Sequence, residues 1–194
     1  MVLNHSLSEI PTGLIDSEWE TFSSGATTTF GAGSSECNNF SPAGDACDES
    51  WSLDVYGRLY NWFAVVDARG LCPSGWHVSS DADWSAIEIF IGMDEDEVAM
   101  VGNRGVDEAT VLKTGFGWYE MGFGTDLFGM ACLPGGYRDS EGPFDTAGAD
   151  CYFFAPSNSD SGIWSRSLAF DSNTIGRYPT NNPNDGFSIR CIKD

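Results

Sequence analysis

The chain has 194 residues, one domain's worth, and that is long enough to bury a core of its own. Lys+Arg total 9 against 29 Asp+Glu, a net charge of −20, which excludes nucleic acid as a partner for want of clustered cations and disfavours an anionic membrane surface. Hydrophobic residues at 41% and aromatics at 13% exclude a solvated, disordered tail.

Residues 1–50 read as an irregular, polar N-terminal extension or assembly segment. The opening has no basic start, and Leu3, Leu7, Ile10 and Leu14 are interrupted by polar residues, so no signal-peptide pattern is visible. Ser23–Gly31 has some strand propensity between glycine-rich flanks. Cys37 and Cys47 enclose a short loop, where a bridge would contribute about 2–3 kcal/mol by loop entropy.

From Tyr56 to Arg69 the spacing of Leu59, Phe63 and Val66 predicts a helix ended by Gly70. A short strand follows at Trp76-His77-Val78. Ser80 with Asp83 three residues on resembles a capping box, opening a second helix whose apolar face is Trp84, Ile87 and Ile91. Asp94–Glu97 is expected to open another short helical segment. After Lys113 glycine punctuates short aromatic pieces, and strands are expected at 151–155, 162–168 and 186–192; Phe187, Ile189 and Cys191 alternate with Ser188, Arg190 and Ile192. Helices early and strands late make an α+β fold.

Six cysteines, with no CxxC and with His5 and His77 far apart, point to disulfides and an oxidising compartment, not zinc. No apolar run reaches the length of about 20 residues that spans a bilayer. The only lysines are Lys113 and Lys193, and such an acidic, lysine-poor surface suits a salty medium.

Six motifs stand in order: Tyr56-Gly57-Arg58-Leu59-Tyr60-Asn61-Trp62, Cys72-Pro73-Ser74-Gly75-Trp76-His77-Val78, Asp83-Trp84, Leu112-Lys113-Thr114-Gly115 with Trp118, Leu133-Pro134-Gly135-Gly136-Tyr137-Arg138, and Gly186-Phe187-Ser188-Ile189-Arg190-Cys191. Together they resemble the Fibrobacter succinogenes major paralogous domain over residues 51–194. That resemblance implies a C-type lectin-like fold, two helices early and short antiparallel strands with long loops late, shared with formylglycine-generating enzymes and retroelement-diversified binding proteins. Residues 1–36 depart from the family's extended opening segment, and Trp19–Phe30 is the stretch available to supply its edge strand. The resemblance also implies that Cys72 pairs with Cys191, leaving Cys37–Cys47 and Cys132–Cys151 among the several pairings six cysteines admit.

The formylglycine-generating relatives use a reactive cysteine pair near the C-terminus. Here the only cysteine after Cys151 is Cys191, read as structural, so no enzyme is expected. By resemblance to the diversified relatives, the binding face lies at 164–185: Trp164, Arg166, Asp171, Asn173, Arg177, Tyr178, Asn181 and Asn182, with Trp118, Tyr119 and Tyr137 as neighbours. Tyr, Ser, Asn and Arg are residues of adaptable binding loops. Arg138 and Arg190 are expected to be structural. No cofactor is expected; the one candidate is calcium at Asn182, Asn184 and Asp185, a stretch that partly resembles a lectin loop and otherwise reads as a polar turn. The expected function is a non-enzymatic recognition or display module, extracellular, at a cell surface or on a virion, binding a glycan or protein. The alternative is a structural decoration or assembly subunit packing against itself or a neighbour, and a carbohydrate-active enzyme ranks below both. No nucleic acid and no membrane insertion are expected.

Overall fold

The computed structural model describes residues 10–157 and 162–194; the readings placed on Leu3, His5 and Leu7 lie outside the described residues. The fold is α+β with more strand than helix. Its centre is three antiparallel strands, β8 (Asp150–Ala155), β9 (Ile163–Ala169) and β10 (Ile175–Thr180). β5 (Gly102–Arg104) extends the sheet beyond β10, and β6 (Gly135–Arg138), β7 (Phe144–Ala147) and β2 (Cys37–Asn39) extend it beyond β8. Two small pairs sit apart: β1 (Thr27–Thr28) with β3 (Leu59–Tyr60), and β4 (Trp76–Val78) with β11 (Cys191–Lys193).

Both faces of β8 are covered, so its residues are apolar on both sides. Cys151, Phe153 and Ala155 pack with Trp84, Leu112, Trp118, Leu168 and Ile175. Tyr152 and Phe154 face the other way, toward Tyr60, Leu71 and Phe187. The helices α4 (Asp81–Phe90) and α5 (Glu108–Leu112) cover the first face. α4 begins as its sequence indicates: Ser80 accepts from the Asp83 amide and the Asp83 carboxylate accepts from the Ser80 amide.

The helix expected over 56–69 is replaced by three elements: α2 (Glu49–Val55), β3, and α3 (Trp62–Val65). Asp48 caps α2, accepting from the amides of Ser50 and Trp51. Gly57 then takes a left-handed φ of 81°, which turns the chain out of the helix. Asn61 caps α3 and, through the same side-chain oxygen, accepts from the Ala26 amide. Its side-chain amide donates to the Ser24 carbonyl, so one buried asparagine both ends the strand and holds the N-terminal segment.

Residues 16–48 are built into the domain. β1 supplies the strand paired with β3, and Trp19, buried, donates from Nε1 to the Asn184 carbonyl at 2.7 Å while the Arg138 guanidinium stacks 4.5 Å from its ring. Asp94–Glu97 forms hydrogen-bonded turns in place of a helical segment. The expected strand at 186–192 is regular only from Cys191; Phe187 and Ser188 bridge instead to Tyr60 and Phe153 on two different strands.

Cys37–Cys47 and Cys72–Cys191 are disulfides. The second joins β11 to the turn before β4 and closes 119 residues of sequence, for which loop entropy gives about 5 kcal/mol. The Cys132–Cys151 pairing is corrected: both are free thiols buried in the core. Cys151 is paired across strands with Leu168 and Gly136, and Cys132 bridges to Lys113. Burial pushes both thiols up, Cys132 to about 11, and they act as small apolar residues.

Candidate recognition surface

The residues expected to form one binding face fall in three separate places. The segment 163–180 is a hairpin, not a long loop. Arg166 is buried on its inner face, donating from Nε to Glu88 at 2.6 Å and from Nη1 to Asp81 at 2.8 Å. Arg177, also buried, donates twice to Asp81 and lies 3.7 Å over the Trp164 ring. Glu88, inaccessible in the interior of α4, takes a bidentate pair from Arg104 as well. The chain Arg104–Glu88–Arg166–Asp81–Arg177 thus ties α4 to β5, β9 and β10, with charges alternating along it. Burial works against the Asp81 charge, but hydrogen bonds from Arg177 and Arg166 outweigh it and hold the carboxyl below its usual range. Arg166, Arg177 and the stacked face of Trp164 are therefore occupied internally, which corrects their assignment as ligand contacts. Tyr178 is exposed nearby and donates to Asn103.

The second place is the turn at 181–185. Asn181 and Asn182 are exposed, and the Asn182 side-chain oxygen accepts from the Asn184 amide. Asn184 donates to the Glu20 carbonyl and its own carbonyl accepts from Trp19, so this residue fastens α1 (Asp16–Thr21). Burial, and next the charge of Asp139, push Asp185 up to about 6. Beside it, a polar cleft of about 380 Å³ is lined by Glu36, Asn38, Tyr137, Asp139, Glu141 and Asp145. Among the described residues, no group of three or more His, Cys, Asp or Glu is placed to hold a metal ion.

The third place is the hairpin tip with Asp171 and Asn173, both exposed. It adjoins the segment 115–131, of which the sequence reading named only Trp118 and Tyr119, as neighbours of the face. Its anchor is Trp118, fully buried, whose Nε1 donates to Thr114 Oγ1. Beyond it the chain returns along the end of α5. The amides of Gly124, Thr125, Asp126 and Leu127 donate to the carbonyls of Thr114, Thr110, Lys113 and Val111. A helix end leaves carbonyls without intrahelical partners, and here the loop backbone satisfies them. Gly124 makes this approach possible: a Cβ there would lie 2.3 Å from the carbonyl oxygens of both Lys113 and Thr110.

This fastened loop holds its apolar side chains outward. Phe116, Met121, Phe123, Leu127 and Phe128 are 44–79% exposed, and Phe90 of α4, 74% exposed, meets Phe128 edge-on at 5.4 Å. Glu120, Met121, Asp126 and Ala131 have φ between 45° and 64°, a left-handed conformation costly for residues with a side chain. Four such residues in one ordered, hydrogen-bonded loop amount to strain held by the scaffold. Tyr119 seats the loop inward, with its ring 5.8 Å from Phe40 and 5.3 Å from Phe170. The one signal in the sequence was the absence of any period: five large apolar residues between glycines, fitting neither helix nor strand.

No helix among the described residues is long and apolar enough to cross a membrane. The family model of the Fibrobacter succinogenes major domain matches residues 26–193. No curated protein and no solved structure matches the chain.

Proposed function

We propose that this chain, which belongs to the Fibrobacter succinogenes major domain family, is a non-enzymatic recognition module that captures a protein through the 115–131 loop. The observation that carries this reading is the preformed apolar strip on that loop. Soluble proteins scatter large exposed apolar side chains singly, and five of them on one short loop, with Phe90 against Phe128, mark an interaction to serve. A loop already fixed by backbone hydrogen bonds loses little entropy when it binds. We place the module outside the cytoplasm, on a cell envelope or a virion, because two disulfides staple it. The order of elements, with a terminal strand pair stapled by Cys72–Cys191, supports the finer reading as a C-type lectin-like domain.

The test is an array carrying glycans and purified extracellular proteins, probed with the wild-type chain and with a Met121→Ser/Phe123→Ser/Leu127→Ser variant of unchanged circular dichroism. Protein signals lost in the variant support the reading. Glycan signals that survive in the variant, with no protein signal, overturn it. The same strip also favours a second reading, a structural subunit packed on a neighbour. That reading is selected if the wild type sediments as a regular assembly and the variant as a monomer.

A further inference from the structure

We infer that the partner of this loop is a protein surface combining an apolar anchor with a cluster of lysine or arginine. The inference rests on the recognition reading above and adds the partner's chemistry.

The carboxylates around the strip are placed by hydrogen bonds and by close backbone approach. Glu120 and Asp126 belong to the loop. Asp107 accepts from the hydroxyl of Thr110, whose carbonyl receives the loop's Thr125 amide. Asp171 sits at the hairpin tip, where the preceding Phe170 backbone closes on Gly122 of the loop. The Ala109 amide donates to the Asn173 carbonyl at 2.9 Å, which sets the Asp107 end of α5 beside the hairpin tip that carries Asp171. Lys113 itself cannot neutralise this rim for a partner. It is buried, and its Nζ donates to the carbonyls of Ala169 and Ser172.

The rest of the chain sharpens this asymmetry. Arg104, Lys113, Arg138, Arg166 and Arg177 are buried, five of the nine cations, whereas Glu88 is the one fully buried acid among the described residues. The outer surface is thus more acidic than the net charge states. Three kinds of occupant can be compared. A second copy would press one acidic rim against another, which costs free energy. A neutral apolar partner would strip water from carboxylates without pairing them. A basic partner gains from both the apolar strip and the rim, and is steered to it in solution.

The experiment selects binders from a random peptide library on the wild-type chain, after depletion on the Met121→Ser/Phe123→Ser/Leu127→Ser variant, which keeps every acid. The expected binders carry both large apolar residues and net positive charge. Their affinity should fall about tenfold or more when salt is raised from about 0.05 to 0.5 M. A Glu120→Gln/Asp171→Asn variant, changed only at exposed positions, should weaken them to a similar degree. Apolar binders that are neutral or acidic and indifferent to salt would overturn the basic partner while leaving the loop as the binding surface. Concentration-dependent dimerisation abolished by the triple variant would replace it with a second copy. Absence of any loop-dependent binder, together with a monomer at all concentrations, would overturn both readings.

Discussion

Glu88 bonds two arginines in a place that water does not reach. Replacing it by Gln removes the negative charge and leaves Arg104 and Arg166 facing each other in the core. Breaking a buried pair in this way costs about 3–5 kcal/mol, so Glu88→Gln should lower Tm by roughly 10 °C in thermal melts. Asp185 acts in the opposite sense. Its pKa is raised to about 6 by burial and by Asp139, so the native state holds a proton that the unfolded chain releases near pH 4. Its stabilising contribution is complete below about pH 4 and is lost as pH rises through about 6. Asp185→Asn should therefore raise Tm by a few degrees at about pH 7.5 and leave it unchanged at about pH 4. His77 lies between Asp194 and Asp83, at 2.7 and 3.1 Å, and the hydrogen bonds that its protonated ring donates to Asp194 first and Asp83 next raise its pKa. The pair clamps the chain end beside the Cys72–Cys191 staple. Its contribution is present below about pH 6.5 and fades as pH rises through the raised value, so the Tm gap between wild type and His77→Gln should be largest near pH 5.5 and close by about pH 8.5.

At the level of elements, what was legible was local. The Ser80–Asp83 box announces α4 because both of its hydrogen bonds run within four residues. The strand at 151–155 announces itself because apolar residues cover both faces, and that at 162–168 because Ile163, Trp164 and Leu168 bracket a short polar stretch. The Tyr56–Arg69 reading failed because Leu59 and Tyr60 are buried through pairing with Thr27 and Thr28, a contact across more than thirty residues that helical spacing imitates. The assignment of Arg166 and Arg177 to a binding face failed for a related reason: an arginine's exposure depends on whether a buried carboxylate lies opposite, and Glu88 and Asp81 are far away in sequence. Cys72–Cys191 was carried by family resemblance, not by spacing. The 115–131 loop was illegible because its form is set by the carbonyls at the end of α5. That dependence is testable at Gly124. Gly124→Ala sets a methyl group against the carbonyls of Lys113 and Thr110, a clash expected to cost about 1–3 kcal/mol. Hydrogen exchange should show the amides of Thr125, Asp126 and Leu127 losing protection while those of β8 and β9 keep theirs; equal loss everywhere would show that the loop is no separate element.

Across the whole molecule, the distribution of charge matters more than its sum. The cations are drawn inward, where Arg104, Arg138, Arg166 and Arg177 satisfy carbonyls and carboxylates or stack on rings. The surface is left with acids that repel one another. Screening should relieve that repulsion, so raising NaCl from about 0.05 to 1 M should raise Tm. The buried chain through Glu88 is shielded from salt by the protein around it, so the Tm deficit of Glu88→Gln should stay the same over that range. If the deficit shrinks with salt, the network is open to solvent and the inward placement of the cations is wrong. Calcium separates a general from a local effect. At matched ionic strength CaCl2 should give the same Tm as NaCl, since Asn182 and Asn184 are engaged in the turn and in fastening α1. An extra rise with calcium, removed by Asn182→Ala and Asp185→Ala, would mean instead that the turn opens to take the ion, and that the acids gathered around it are ligands and not merely surface.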